Sequence, residues 1–191
     1  MTMPDPLRPA GTAFDPTLVE CRRILEHDLP MLLAWRNAER VRVRMFTREI
    51  ISVEEHRAWW AGRCRDASYA QYLLRYAGRP LGTISFASNE ARTFAECGYL
   101  VGPDDAPRGS GTLLMLEGLT RAFGELGLRT VCCQIREDNE PSLRLVRRFG
   151  FAERVRRRAD ARRFVLNGPR FAAAVPRVRA MLFGEGAHAL R

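Results

Sequence analysis

Two hydrophobic periods alternate along this chain, and the places where one gives way to the other mark its elements. Leu113, Leu116, Leu119, Phe123 and Leu126 recur three or four apart, so a helix with one apolar face is predicted there, ended by Gly127. Ser52 with Glu55 three positions on forms a capping box, which predicts a helix running to about residue 65. Residues 27–36 also read as helical. Asn139, with Pro141 in the first turn and Gly150 to close, opens another helix. Strand-like runs fall at 17–25, 69–77, 81–88, 93–101 and 130–136, the second and third joined by a turn at Gly78-Arg79-Pro80. Residues 151–158 and 162–166 suit a last hairpin, and a further helix follows Pro169.

Antiparallel strands first and a βαβα unit later predict a mixed α+β fold. It occupies residues 17–168 as one domain. Residues 1–16, which hold four of the eleven prolines, read as a disordered tail, and residues 169–191 as a C-terminal helix and tail.

With 191 residues, 46% hydrophobic and 28% charged, the chain is long enough for one real core. No run approaches the ~18 to 20 apolar residues of a membrane helix. Pro4, Pro6 and Pro9 break the plan of a signal peptide, so a cytosolic protein is expected; a monomer or homodimer is a separate expectation. Cys21, Cys64, Cys97, Cys132 and Cys133 make an odd count without a Cys-x-x-Cys pair, and the three histidines lie far apart. A disulfide framework and a metal site are both argued against, and the thiols read as buried packing groups. Net charge is +9 and all 31 basic residues are Arg. Such a surface attracts polyanions: coenzyme A, a nucleotide-sugar or a nucleic acid. No nucleic-acid motif accompanies the charge, which ranks that partner last.

The chemistry centres on Tyr99-Leu100-Val101-Gly102-Pro103, a short loop, and Arg108-Gly109-Ser110-Gly111-Thr112. A strand that ends in a glycine-rich turn opening a helix makes an anion site, because glycine lets the backbone approach and the first helical N–H groups are free. Arg108 adds a charge-assisted contact. No Gly-Lys-Ser/Thr follows, which excludes a P-loop, and the third glycine of a dinucleotide fingerprint is missing.

Taken with Asn139-Glu140-Pro141-Ser142 and the closing Gly150-Phe151, this segment resembles the GNAT superfamily of acyl-CoA-dependent N-acyltransferases, over roughly residues 17–166. The resemblance implies the GNAT fold, with a mostly antiparallel sheet splayed near Val101 and Ile135 around acetyl-CoA. Leu100, Val101, Arg108, Gly109, Ser110, Gly111, Thr112 and Asn139 would hold that donor, and a primary amine would attack it directly. That agrees with the absence of a Ser-His or Cys-His nucleophile pairing. Glu96 lies where several members place a general base; an exposed strand Glu or an ion pair with Arg92 is the other reading. Two positions depart from the pattern. Ala106 and Pro107 stand at the start of the glycine signature, and Val146 stands where many members carry a Tyr acid. Tyr99 or a water is then left to assist the thiolate, already a fair leaving group.

Trp35-Arg36-Asn37, Arg42 to Phe46, and Ser52 to Trp59 are similar to acetyltransferases of the pseudaminic acid pathway, which act on the 4-amino group of a UDP-linked dideoxy sugar. On that resemblance Met45, Phe46 and Trp59 form an apolar platform, and Arg36 and His56 meet phosphates or sugar. Trp35 and Trp59 at helical spacing suit a core equally well, and Arg154 to Arg158 suit the outer face of a strand. A ribosomal-protein or peptide N-terminal acetyltransferase is the alternative within the enzyme class. A non-catalytic acyl-CoA-binding module is the alternative outside it.

Overall fold

The computed structural model describes residues 14–155 and 158–184. Seven strands form one sheet: β1 (Val19–Arg23), β2 (Tyr69–Tyr76), β3 (Arg79–Ser88), β4 (Phe94–Val101), β5 (Thr130–Arg136), β6 (Ala152–Arg154) and β7 (Ala161–Asn167). Their spatial order is β1-β2-β3-β4-β5-β7-β6. Every neighbouring pair is antiparallel except β4 and β5, which run parallel. The helices are α1 (Leu29–Asn37), α2 (Glu39–Arg42), α3 (Val53–Arg63), α4 (Ser110–Phe123), α5 (Glu140–Arg148) and α6 (Gly168–Phe183). This is the mixed, mostly antiparallel α+β architecture that the pattern predicts.

Successive side chains of a strand point to opposite faces, so the sheet carries two cores. Tyr72, Leu74 and Tyr76 of β2 face the larger one, with Leu113, Leu116 and Leu119 of α4, Leu143 and Val146 of α5, and Phe171 and Val178 of α6. Leu73 faces the other side and clusters with Ile24 and Leu32, bordered by Trp35 of α1 and Trp60 of α3. Burying each such Leu or Phe contributes roughly 1.5–3 kcal/mol. Helix α4 lies close against β3: a Cβ on Gly118 would sit 2.7 Å from two carbons of Ile84.

Local chemistry explains where elements begin and end. Ser52 and Glu55 form the reciprocal capping box at the start of α3. Asn139 caps α5 through Ser142 N–H, with Pro141 in its first turn, and Gly150 follows at φ +80°. Helix α4 stops at Gly124 rather than Gly127, which instead turns the chain toward β5 at φ +65°. The β2–β3 turn is Ala77-Gly78, both at positive φ, as a two-residue hairpin requires; Arg79 and Pro80 already belong to β3.

Further expectations are revised at the edges. The tail expected through residue 16 ends sooner: Phe14 is buried, meets Tyr76 edge-on at 4.9 Å, and its N–H bonds to Leu182 O. Residues 1–13 and 185–191 lie outside the described residues. Strand β1 is shorter than 17–25 because Asp15 caps a turn of 3₁₀ helix over Pro16–Leu18. The stretch expected as a strand over 151–158 pairs only at Ala152–Arg154; residues 156 and 157 are not described, and Arg158 lies over the Phe46 ring. All five cysteines are free, and Cys64 is exposed, against the expectation of five buried thiols. Among the described residues, no helix is long and apolar enough to cross a membrane, and no cluster of three or more ligand side chains suits a metal.

Candidate active site

The parallel ladder between β4 and β5 lasts three pairs, Phe94↔Thr130, Ala95↔Val131 and Glu96↔Cys132. Beyond it β4 stays with β3 and β5 stays with β7, so the two strands part. A cleft of about 1070 Å³ opens in the gap. Gly102 N–H bonds to Leu81 O on β3. By the period of two, Leu100 and Gly98 also spend their backbone groups on β3, whereas Tyr99 and Val101 turn theirs to the gap. Of the two expected backbone contacts, the Val101 N–H is therefore available and Leu100 offers only its side chain.

At the far end of β4 the glycine turn builds the start of α4. Gly109 adopts φ +97°, which a side chain would strain. The Ser110 hydroxyl and N–H both bond to Pro107 O, so this buried serine stiffens the turn and does not line the cleft. Thr112 and Leu113 N–H groups bond to Gly109 O. Gly111, which lines the cleft, has no backbone acceptor for its amide. Arg108 stands in the same wall, and Arg148, at the end of α5, donates to Thr112 Oγ1 at 2.6 Å. Asn139 lines the opposite wall, its Oδ1 accepting from Arg44 at 3.3 Å.

Charge in this lining is one-sided. Arg40, Arg44, Arg108, Arg136, Arg144 and Arg148 all border the cleft, against one carboxylate, Glu96. Arg40 donates to Val101 O at 3.3 Å and to Gly102 O, and pairs with Asp104. Arg136 is held by Asp138, and Arg144 lies 3.5 Å from Glu140. Of these six arginines only Arg108 is in the expected set; the others sit on elements whose juxtaposition a linear pattern does not reveal.

Glu96 and Tyr99 reach the gap from opposite faces of β4. Glu96 is exposed on the α1–α3 side and accepts from Gln134 Nε2 at 3.0 Å. Tyr99 packs on the larger core, its hydroxyl buried beside Ser142 without a well-formed hydrogen bond. Burial pushes that phenol far above its ordinary value, so it stays neutral. Val146 is fully buried in the same core and offers no acid.

Met45 and Phe46 border the cleft; Arg36, His56 and Trp59 do not. Arg36 donates to Thr47 O, Asn37 makes two bonds to the Ile51 backbone, and Arg42 donates to Asn37 O and Arg48 O. Trp35-Arg36-Asn37 thus hangs the segment carrying Met45 and Phe46 from α1. Trp35 itself covers Gly102, where a Cβ would lie 2.1 Å from the indole. His56 stacks on Trp59 at 5.1 Å, and burial lowers its proton affinity.

A parting parallel pair, a glycine turn with a free amide, and a cationic lining suit a pantetheine diphosphate. A family model described as an acetyltransferase (GNAT) domain matches residues 19–152. The chain belongs to that family. This acetyltransferase takes its acetyl group from acetyl-CoA and passes it to an amine. Among solved structures it is similar to the spermidine N-acetyltransferase of Vibrio cholerae, seen with CoA and spermine. That match has 17% identity and TM-score 0.73, covering 82% of this chain and 99% of the other. It is also similar to the N-acetyltransferase PseH of Campylobacter jejuni in complex with acetyl coenzyme A, with 20% identity and TM-score 0.63, covering 79% and 99%. A domain from Methanocaldococcus jannaschii matches at 22% identity and TM-score 0.66, covering 78% and 97%. No curated protein matches the chain.

Proposed function

We propose that the acceptor is the 4-amino group of a UDP-linked amino-dideoxy sugar. The observation that carries this is the acceptor side of the cleft, where Arg44 adjoins the apolar Met45 and Phe46 and Glu96 is the one lining carboxylate; this favours a diphosphate-bearing acceptor over a polyamine such as the substrate of the Vibrio cholerae neighbour. Met45 and Phe46 at the rim supply apolar surface for a base, and Arg44 lies beside them. The neighbours do not choose between these acceptors, since one is a spermidine N-acetyltransferase and PseH is an N-acetyltransferase seen with acetyl coenzyme A.

Acetyl-CoA supplies the acetyl group as a thioester. In this reading the Gly111 amide, Arg108 and Arg148 hold its diphosphate, and Tyr99 and Val101 backbone groups meet the arm that runs between β4 and β5. Glu96, on the α1–α3 face, takes the proton that the acceptor ammonium must lose before attack. Tyr99, on the other face, donates a hydrogen bond to the departing sulfur; being so weak an acid, it does not transfer its proton outright, and the thiolate takes up through solvent the second proton that the attacking nitrogen releases. No acyl-enzyme forms. Burial pushes Cys132 up to about 11, and a hydrogen bond to Cys97 together with burial keeps Cys133 protonated, so neither is the thiolate that route needs.

The test is an acceptor screen with acetyl-CoA, following free thiol. Turnover with UDP-4-amino-sugars supports the proposal. Turnover only with spermidine, or only with peptides, replaces the acceptor. CoA-induced thermal stabilisation without turnover on any amine replaces catalysis with binding.

A further inference from the structure

The last backbone pair between β4 and β5 is Glu96↔Cys132, and one side-chain bond continues across the split beyond it. Gln134 lies two residues on from Cys132 and therefore on the same face as Glu96, the α1–α3 face. Its Nε2 donates to Glu96 Oε1 at 3.0 Å, and both residues line the cleft. An ionised carboxylate only accepts, so the amide nitrogen must be the atom that faces it.

We infer that Gln134 is a positioning residue for Glu96: it ties down one carboxylate oxygen from the neighbouring strand and leaves the other toward the cleft. This rests on the reading of Glu96 as the base that receives the acceptor's proton. The choice of an amide fits the task. A neutral donor orients a carboxylate without cancelling its charge, whereas a guanidinium would weaken it as a base.

The surroundings leave orientation to this bond. Ala87 pairs with Glu96 from β3, and Ser85 lies two pairs further along, next on the same face. From β5 come the thiols of Cys132 and Cys133, and Cys97 follows on β4 itself. Arg163 of β7 is the cross-strand partner of Gln134 and also lies beside Cys132. Arg136 and Arg44 are cations of the same cleft, the first engaged by Asp138 and the second by Asn139.

The experiment is carbon-detected NMR of the Glu96 carboxyl in the protein alone at neutral pH, its resonance identified by its loss in Glu96→Gln. It is run on wild type, Gln134→Leu and Gln134→Met. Both variants remove the donor, so the Glu96 carboxyl resonance should move and broaden as the side chain loses its fixed position. A mere packing role predicts that the Met variant, which keeps the length of the side chain, matches wild type. Unmoved resonances in both variants would overturn the inference.

Kinetics with acetyl-CoA and the acceptor found in the screen then separate the two layers. Gln134→Leu should lower kcat about 10-fold while the KM for acetyl-CoA holds. If Glu96→Gln leaves kcat and its pH profile untouched, the base reading fails, and this inference with it. If Glu96→Gln removes the acidic limb but Gln134→Leu changes neither limb nor kcat, the base stands and only Gln134 falls.

Discussion

Replacing Gly111 by Ala separates the stability of the glycine turn from its grip on a ligand. Gly111 is the second residue of α4, and no positive φ forbids a side chain there. A Cβ would meet Val101 Cγ2 at 3.6 Å and Leu145 Cδ2 at 3.9 Å, which is ordinary contact. The substitution therefore fits, and an alanine in a helix gains about 0.5–1 kcal/mol over glycine. For a domain of this length that corresponds to a rise in Tm of roughly 1–4 °C without ligand. The added methyl points between Val101 and Leu145, both of which line the cleft. It stands in the approach to the amide that has no backbone acceptor, and a charge-assisted hydrogen bond of that kind contributes about 1.5–3 kcal/mol. The dissociation constant for CoA should rise about 10- to 100-fold. Calorimetric titration with CoA and thermal unfolding without it read the two effects separately. A variant that melts higher and binds CoA as well as wild type would refute the assignment of the diphosphate to this turn.

Two further outcomes follow from contacts away from the turn. Asn37→Ala removes both bonds to the Ile51 backbone and loosens the segment that presents Met45 and Phe46. The acceptor KM should rise about 10-fold while that of acetyl-CoA stays within about twofold, as initial rates with each substrate varied will show. Asp28 is buried, takes two bonds from Arg22 and one from Leu25 N–H, and these outweigh the desolvation that opposes its ionisation, holding its carboxyl below the ordinary 3.8. Asp28→Asn should cost about 2–4 kcal/mol, or roughly 5–15 °C in Tm at neutral pH. Because the folded value is depressed, that advantage is complete above pH 3.8 and is lost as pH falls through the folded value. Melting curves of the two proteins should therefore converge in strong acid.

Where a pattern is local, the chain announced it. The capping box at Ser52, the Asn139 cap and the glycine turn each depend on residues within a few positions, and each opens its helix where the pattern places it. Contacts between distant segments were not legible. Arg148 reaches Thr112 across 36 positions, and Arg40 and Arg44 reach the cleft from the far side of the sheet. Arg36 was expected at the ligand because its charge suits a phosphate, but its neighbour in space is the Thr47 carbonyl. Spacing alone separates the two candidate acid–base groups: Glu96 and Tyr99 are three apart on a strand, and a period of two sends them to opposite faces. The helix end at Gly124 was masked by Leu126, which continues the apolar spacing but packs from the loop beyond.

Phe14 and Leu182 meet behind the glycine turn, their ring and methyl carbons 3.1 Å and 3.7 Å from where a Gly109 Cβ would stand. A growing chain leaves the ribosome with Phe14 early and Leu182 more than a hundred and sixty residues later. The glycine turn is thus backed on this side only after the whole sheet has emerged. A thioester carrier that binds the finished cleft must then act as a late latch, favouring the state in which the two flanks of the chain are joined.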